Sequence, residues 1–246
     1  METDSLDKVH GNLTVVMPAC NEETLIENAV REVQNQIFSV LSQARLIVVD
    51  DGSHDNTGKI LDRLADEDDR ISIVHQKNGG HGKALITGLD RVQTDFVFLV
   101  DSDQQIPLSA FSFLWDEMMG QDGAFGIRAQ RHDPEIRLIL TRFIRSVILL
   151  LFGLRIRDAN VPFKILRMDI WKQARKVIPP DTLAPSLFLA IFMHHSGMKI
   201  VEKAVPHKIR QSPPLGLKRQ WSLFKLTCSG FLQLINLRKK LIKPIV

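Results

Sequence analysis

The sequence predicts an α/β protein: one domain built on a mostly parallel central sheet, followed by basic amphipathic helices. Three observations carry this. Short apolar runs alternate with helical patterns through the first half of the chain. The runs do not alternate strictly between polar and apolar, which suits strands covered on both faces. The acidic clusters fall where these runs end, at the carboxyl rim where such sheets bind their ligands.

Leu13 to Met17 reads as the first strand, ended by Pro18. Asn21-Glu22-Glu23 then starts a helical pattern carrying Leu25, Ile26, Ala29, Val30 and Val33, its acidic start suiting a helix N-terminus. Leu46 to Val49 is the second strand, with Asp50-Asp51-Gly52-Ser53 as its turn, and Thr57 to Leu64 the next helix. Asp66 to Arg70 reads as an acidic surface loop and Ile71 to Val74 as a third strand. Gly79, Gly80 and Gly82 mark a close turn before a helix over Lys83 to Arg91, and Phe96 to Val100 is the fourth strand. The second half is less regular: a short strand at Ala124 to Ile127, a helix over Glu135 to Phe152, a strand at Val161 to Leu166, a helix at Ala184 to Ser196, strand pieces at Lys199 to Ala204 and Pro206 to Ile209, and amphipathic helix over Leu215 to Leu241.

At 246 residues and 44% apolar composition the chain buries a substantial core and is not disordered. Cys20 and Cys228 lie far apart and give neither a disulfide framework nor a zinc pattern. The polar start is not expected to be a secretory leader. The apolar stretch Ser146 to Leu154 is nine residues long, against the roughly 20 of a membrane span. The net charge of +4 is unevenly spread: from Lys203 to Val246 there are ten Lys or Arg and no acidic residue. With Trp221, Phe224, Phe231 and Leu232 among those cations, an anionic membrane surface is the expected partner rather than nucleic acid.

The most informative chemistry is Asp101-Ser102-Asp103-Gln104-Gln105, at the exit of the fourth strand. Two carboxylates at that spacing can turn to one Mg2+ or Mn2+ ion, with Gln105 as a third ligand or a holder of the other two. Asp50-Asp51 reads either as a turn with a helix cap or as an acceptor for a nucleotide's base or ribose. Lys83, after the glycines, can neutralise phosphate. The spacings of a P-loop and of a dinucleotide fingerprint are both absent, which removes the main support for a kinase or a dehydrogenase. His81 reads as a surface or helix-start residue rather than a catalyst.

In order along the chain, Val15-Val16-Met17-Pro18-Ala19-Cys20-Asn21-Glu22-Glu23, Val48-Val49-Asp50-Asp51-Gly52-Ser53, Asn78-Gly79-Gly80-His81-Gly82-Lys83 and Phe98-Leu99-Val100-Asp101-Ser102-Asp103 resemble the family 2 glycosyltransferases of GT-A fold. Within them the chain looks most like the polyprenyl-phosphate sugar transferases of the dolichol-phosphate mannose synthase type, through Gly126-Ile127-Arg128, Gly153 with Asp158, Pro162-Phe163-Lys164 and Pro206-His207-Lys208-Ile209-Arg210. The resemblance implies a GT-A catalytic domain over 1–212 and a basic helical tail over 213–246. It implies that Pro18, Asn21, Glu23 and Asp51 line the base and ribose of a UDP- or GDP-sugar, with Asp50, Lys83 and Ser102 also on the donor. Asp101, Asp103 and Gln105 would hold Mg2+ or Mn2+, while Arg128, Arg131 and Arg210 face the phosphates. Asp103, Arg128 and Arg210 would be catalytic. The implied reaction is inverting hexose transfer to a polyprenyl phosphate or other lipid-linked acceptor, at the cytoplasmic face of the cell membrane, by a peripheral enzyme that could pair with a second copy or with a membrane protein. Transfer to a sugar hydroxyl of a glycan is the alternative.

Overall fold

The structure is a computed structural model that describes residues 12–128, 135–208 and 217–242, with side chains described except at 135–138 and 217–229. Its sheet has seven strands: β1 (Leu13–Ala19), β2 (Arg45–Asp50), β3 (Ile71–His75), β4 (Phe96–Val100), β5 (Gly123–Arg128), β6 (Phe163–Arg167) and β7 (Ile200–Val205). They stand in the order β3-β2-β1-β4-β6-β5-β7. β1 pairs parallel with β2 and β4, β2 with β3, and β5 with β7. β6 lies antiparallel between β4 and β5. Six strands therefore point one way and β6 alone is reversed. This mostly parallel sheet is the GT-A arrangement.

Helices cover both faces: α1 (Ile26–Val33, continued by one π-helical turn to Phe38), α2 (Thr57–Glu67), α3 (His81–Leu89), α4 (Phe111–Asp116), α5 (Glu135–Phe152), α6 (Met168–Ala174), α7 (Pro185–His195) and α8 (Leu217–Ile242). Successive strand residues feed opposite cores, as a pleated strand requires. Val15, Met17, Leu46, Val48, Phe98 and Val100 join the core under α1, α2 and α4. Val16, Ile47, Val49, Val97 and Leu99 join the core under α3, α6 and α7. The unbroken apolar runs of the sequence are strands buried on both sides. Among the described residues, no helix is long and apolar enough to cross a membrane.

The chain departs from sequence expectation at a few boundaries, each for a local reason. β1 does not stop at Pro18 but runs to Ala19, with Pro18 opposite Val49. The Ala19 carbonyl accepts from the Asp51 N–H on the β2 side, so Pro18 turns toward β4, whose pairing with β1 has ended at Val16. A missing N–H costs nothing there. α1 begins at Ile26 rather than at Asn21, because residues 21–23 are tied to the loop after β2. Asp66 and Glu67 belong to α2 and not to a loop, and Arg63 reaches Glu67 one turn on at 3.0 Å. β6 starts at Phe163 rather than Val161, since the Ala159 and Val161 carbonyls are turned to Lys164 Nζ. Residues 206–208 form no strand: the Lys208 N–H donates to the Gln105 carbonyl at 2.7 Å, which draws this segment onto the loop after β4. Ile209 and the expected boundary between 212 and 213 lie outside the described residues.

Candidate active site

The carboxyl ends of β1, β2 and β4 form one side of the rim. Two loops interlock there. Asn21, in the left-handed region at φ 54°, accepts from the His54 N–H at 2.8 Å, and its own N–H donates to Ser53 Oγ at 2.9 Å. Glu23 Oε2 accepts from the Asn56 N–H at 3.0 Å and the Asn56 amide at 3.1 Å. The Asp55 carboxyl closes the latch, accepting from the Glu23 N–H and from Thr57. Burial alone would raise its pKa, and these bonds outweigh that and lower it.

The adjacent aspartates each make bonds within the protein. Asp50 is buried; Oδ1 accepts from the Ser53 N–H at 3.0 Å and Oδ2 meets His75 Nδ1 at 2.9 Å. Asp51, 2% exposed, accepts from Gln76 Nε2 at 2.7 Å, the Gly79 N–H at 2.8 Å and the Gly80 N–H at 2.7 Å. A fully engaged carboxylate thus pins the glycine turn, and Gly80 at φ 86° is the residue type that turn requires. α3 starts directly after it. Lys83 is exposed, its stem beside Gly79.

His81, the first residue of α3, reaches across to Asp101: Nε2 to Oδ1 is 2.9 Å. Burial would lower its pKa, but Asp101, with Asp103 and Asp51 further off, raises it. Asp103 Oδ1 accepts from the Gln105 N–H at 3.2 Å, and Gln105 Nε2 donates to the Lys208 carbonyl at 3.3 Å. Glu32 on α1 fastens the far side of this loop, accepting from Gln104 Nε2 at 2.9 Å and the Leu108 N–H at 2.8 Å. The donor set fits a hard divalent ion: two carboxylates on one rim, with an amide oxygen in the neighbouring Gln105. Among the described residues no group of three His, Cys, Asp or Glu is placed to hold a metal ion. An ion between Asp101 and Asp103 would therefore complete its shell with oxygens of the substrate and solvent.

Arg128 ends β5 and makes two parallel bonds to Asp158, Nε–Oδ2 at 2.7 Å and Nη2–Oδ1 at 2.8 Å. The side chains are 12% and 4% exposed, so the fork is held rigidly. Lys164, on β6, is fully buried. Its ammonium donates to the Ala159 carbonyl at 3.0 Å, the Val161 carbonyl at 2.6 Å and Ser186 Oγ at 2.7 Å. Burial pushes its pKa down to about 7, against the opposing pull of Asp158.

Four cavities meet along this rim. Pro18, Cys20, Glu22, Asp51, Asp101, Ser102 and Asp103 border one of about 160 Å³. Asp101, Asp103, Gln105, Arg128, Asn160 and His207 border a polar one of about 230 Å³. A small one of about 70 Å³ lies between His81, Asp101, Asn160 and Leu183. The fourth, about 280 Å³, is lined by Leu140, Phe143, Val147, Leu187, Phe188 and Leu234 of α5, α7 and α8, and it too touches Asn160, Leu183 and Ala184.

A sequence model of glycosyl transferase family 2 matches residues 14–171, well over half of the chain. The chain belongs to glycosyl transferase family 2. This family 2 enzyme is 24% identical over 191 residues to the undecaprenyl-phosphate 4-deoxy-4-formamido-L-arabinose transferase of Shewanella sediminis, a match covering 76% of the chain and 58% of that protein. It is 35% identical over 105 residues to the GalNAc(5)-diNAcBac-PP-undecaprenol beta-1,3-glucosyltransferase of Campylobacter jejuni, covering 42% of the chain and 33% of that protein. The chain thus spans little more than half, or less, of these relatives. Among solved structures, glucosyl-3-phosphoglycerate synthase of Mycobacterium tuberculosis, in complex with Mn2+, UDP-glucose and phosphoglyceric acid, superposes with a TM-score of 0.72 at 16% identity, over 97% of this chain and 83% of that one. That likeness establishes the GT-A fold.

Of the residues singled out from sequence, the glycosyltransferase brings Pro18, Asp51, Asp101, Ser102, Asp103, Gln105 and Arg128 to the walls of adjoining cavities. Asn21, Glu23 and Asp50 are engaged in the latch and turn beside them. Arg131 and Arg210 lie outside the described residues. Sequence reasoning gave no role to Asn160 or Glu32, and it left the partner of Arg128 unassigned. The signal for Lys164 was present: a lysine between Phe163 and Ile165 in a strand buried on both faces.

Proposed function

We propose that this enzyme transfers a hexose, with inversion, from a UDP- or GDP-sugar to a polyprenyl phosphate. The observation that carries this reading is the adjacency of the cavities. A polar cavity bordered by Asp101, Asp103 and Arg128 shares Asn160 with an apolar one between α5, α7 and α8, and the small cavity between them shares Asn160 and Leu183 with the apolar one. Such a track fits a ligand with a charged head and a hydrocarbon tail. The name of the Shewanella relative supports the same acceptor class.

In this reading Pro18, Glu22 and Asp51 face the nucleoside, with Asn21, Glu23 and Asp50 shaping their loops and Lys83 near the phosphates. Asp101 and Asp103, with Gln105, would hold Mg2+ or Mn2+, and the ion would supply charge neutralisation for the leaving group. Arg128, aimed by Asp158, adds a fixed positive charge. An acceptor phosphate oxygen bonds to C1 as the C1–O bond to the diphosphate breaks, and the electron pair leaves with the nucleoside diphosphate. An anionic phosphate needs no base. Consistent with that, the only carboxylates of the cavity beside Arg128, among the described residues, are Asp101 and Asp103.

We assign the catalytic domain to 1–212 and a membrane-contacting tail to 213–246, at the cytoplasmic face. Ile139, Phe143, Leu149 and Leu150 of α5 and Leu232 of α8 are exposed, Leu150 to 81%, beside exposed Arg142 and Arg145. Apolar side chains rimmed by arginine suit an anionic bilayer. The test is a screen of labelled UDP- and GDP-sugars with a polyprenyl phosphate and Mg2+ or Mn2+. The expected product is organic-extractable and acid-labile, and Asp103→Ala abolishes it while leaving the thermal midpoint in place. No product from any donor, or full turnover in Asp103→Ala, overturns the reading. The Campylobacter relative favours a second acceptor, a sugar hydroxyl of a lipid-linked glycan; a glycan-linked product in place of a lipid monophosphate sugar would select it.

A further inference from the structure

We propose that Asn160 is the acceptor-reading residue of this transferase and that Lys164 is the buried peg that holds it in position. Asn160 lines three of the four cavities: the polar one with Arg128, the small one with His81 and the apolar one between α5, α7 and α8. Its side chain is exposed, and its amide takes no part in the hydrogen bonds that hold the segment Asp158 to Pro162. An amide offers two donors and an acceptor to whatever passes that point. Resting on the polyprenyl-phosphate reading above, what passes is the junction where the acceptor's phosphate meets its first isoprene unit.

The backbone on either side of Asn160 is fastened from beneath. The three protons of the Lys164 ammonium match three acceptors: the carbonyls of Ala159 and Val161, which flank Asn160, and the Ser186 hydroxyl on α7. Ser186 itself donates to the Val161 carbonyl at 3.2 Å. One residue upstream of Ala159, Asp158 is gripped by Arg128. Burying an ammonium is costly unless every proton is bonded. Here the bonds all go to the one short segment that carries Asn160 and to the helix behind it. The arrangement fixes the backbone that carries the Asn160 amide before the ligand arrives, which is how a site avoids losing affinity to loop ordering.

The experiment is steady-state kinetics of the full chain, with the donor found in the screen and undecaprenyl phosphate as acceptor, reading the KM of each substrate separately. Asn160→Ala is expected to raise the acceptor KM about tenfold or more, the effect of losing a hydrogen bond to a charged group, with the donor KM within about twofold. Lys164→Met, of similar length without the ammonium, is expected to show the same acceptor-selective rise. Ser186→Ala, which leaves both carbonyl bonds of Lys164, is expected to show a smaller rise of the same kind, and it carries the test if Lys164→Met fails to fold. An acceptor KM unchanged within about twofold in Asn160→Ala, or equal rises for both substrates in the Lys164 or Ser186 variant, overturns the inference while leaving the proposed function standing. Wild-type enzyme that binds the nucleotide sugar but makes no lipid product overturns the proposed function and the inference with it.

Discussion

Gly82→Ala adds one methyl group at a place where the structure leaves no room for it. Gly82 is the second residue of α3, and a Cβ there would lie 2.2 Å from the Thr182 carbonyl oxygen, 2.9 Å from Leu183 C and 3.0 Å from Leu183 Cα. All three are backbone atoms, so no side-chain rotation relieves the contact. Restoring an ordinary 3.4 Å separation requires residues 182–183 to withdraw by about 1.2 Å (3.4 less 2.2) from α3. Overpacking of this kind costs about 1–3 kcal/mol, and a backbone displacement puts this case at the upper end. The helix preference of Ala over Gly returns at most about 1 kcal/mol. The net expectation is a loss of about 2 kcal/mol, or roughly 4–8 °C in thermal midpoint for a chain of this size. Urea or thermal unfolding followed by circular dichroism measures it. Gly230→Ala in α8 is the control: among the described residues nothing stands within 4 Å of a Cβ there, so the same substitution should be neutral or stabilise by up to about 1 kcal/mol. Because Leu183 and Ala184 line both the small cavity and the apolar one, Gly82→Ala should also raise the acceptor KM more than the donor KM. A Gly82→Ala protein as stable as wild type would refute the close packing of α3 against 182–183 from which the figure is worked.

Asp158→Asn should cost about 3 kcal/mol in stability, because it takes one buried charge out of a nearly buried ion pair, and turnover should fall with it as the guanidinium loses its aim; an unfolding midpoint equal to wild type would contradict the assignment. His75 carries a pKa raised by hydrogen bonds to Asp62 and then Asp50. A raised folded-state pKa stabilises fully below the unfolded value near 6.5, and that contribution disappears as pH rises through the folded value. Wild type should therefore lose more urea resistance between about pH 6 and pH 8 than His75→Gln does, and parallel pH curves for the two proteins would refute the coupling.

The sequence made the strands and helices legible wherever local pattern decides them. β4 and α5 have the bounds read from their apolar runs, and Asp101-Ser102-Asp103 stands at the rim where its place after a strand put it. What local pattern could not reveal is the use of side chains by distant backbone. Asp50 and Asp51 look like ligand groups, and the sequence does not show that their oxygens also meet His75, Ser53 and the glycine turn some 28 positions on. Asn21 and Glu23 look like a helix start, and they latch instead onto residues 53–57. Pro18 looks like a strand end because the sequence does not say that its missing N–H would face the side where β4 has already stopped. Arg128 and Asp158 are 30 positions apart, and only the antiparallel insertion of β6 beside β5 brings their elements together.

That reversed strand also acts as a ruler. β6 starts where β4 ends: Phe163 stands opposite Val100, so the pair that closes their ladder lies one residue before Asp101 and three residues after Asn160. The spacing between Asp101 and Asn160, which the proposed function puts on the leaving group and on the acceptor, is thereby set by strand register together with the short bonded segment before β6. Strand pairs slip in steps of two residues, about 7 Å, if side chains are to keep their faces. Loops on either flank could be lengthened or exchanged without altering that spacing.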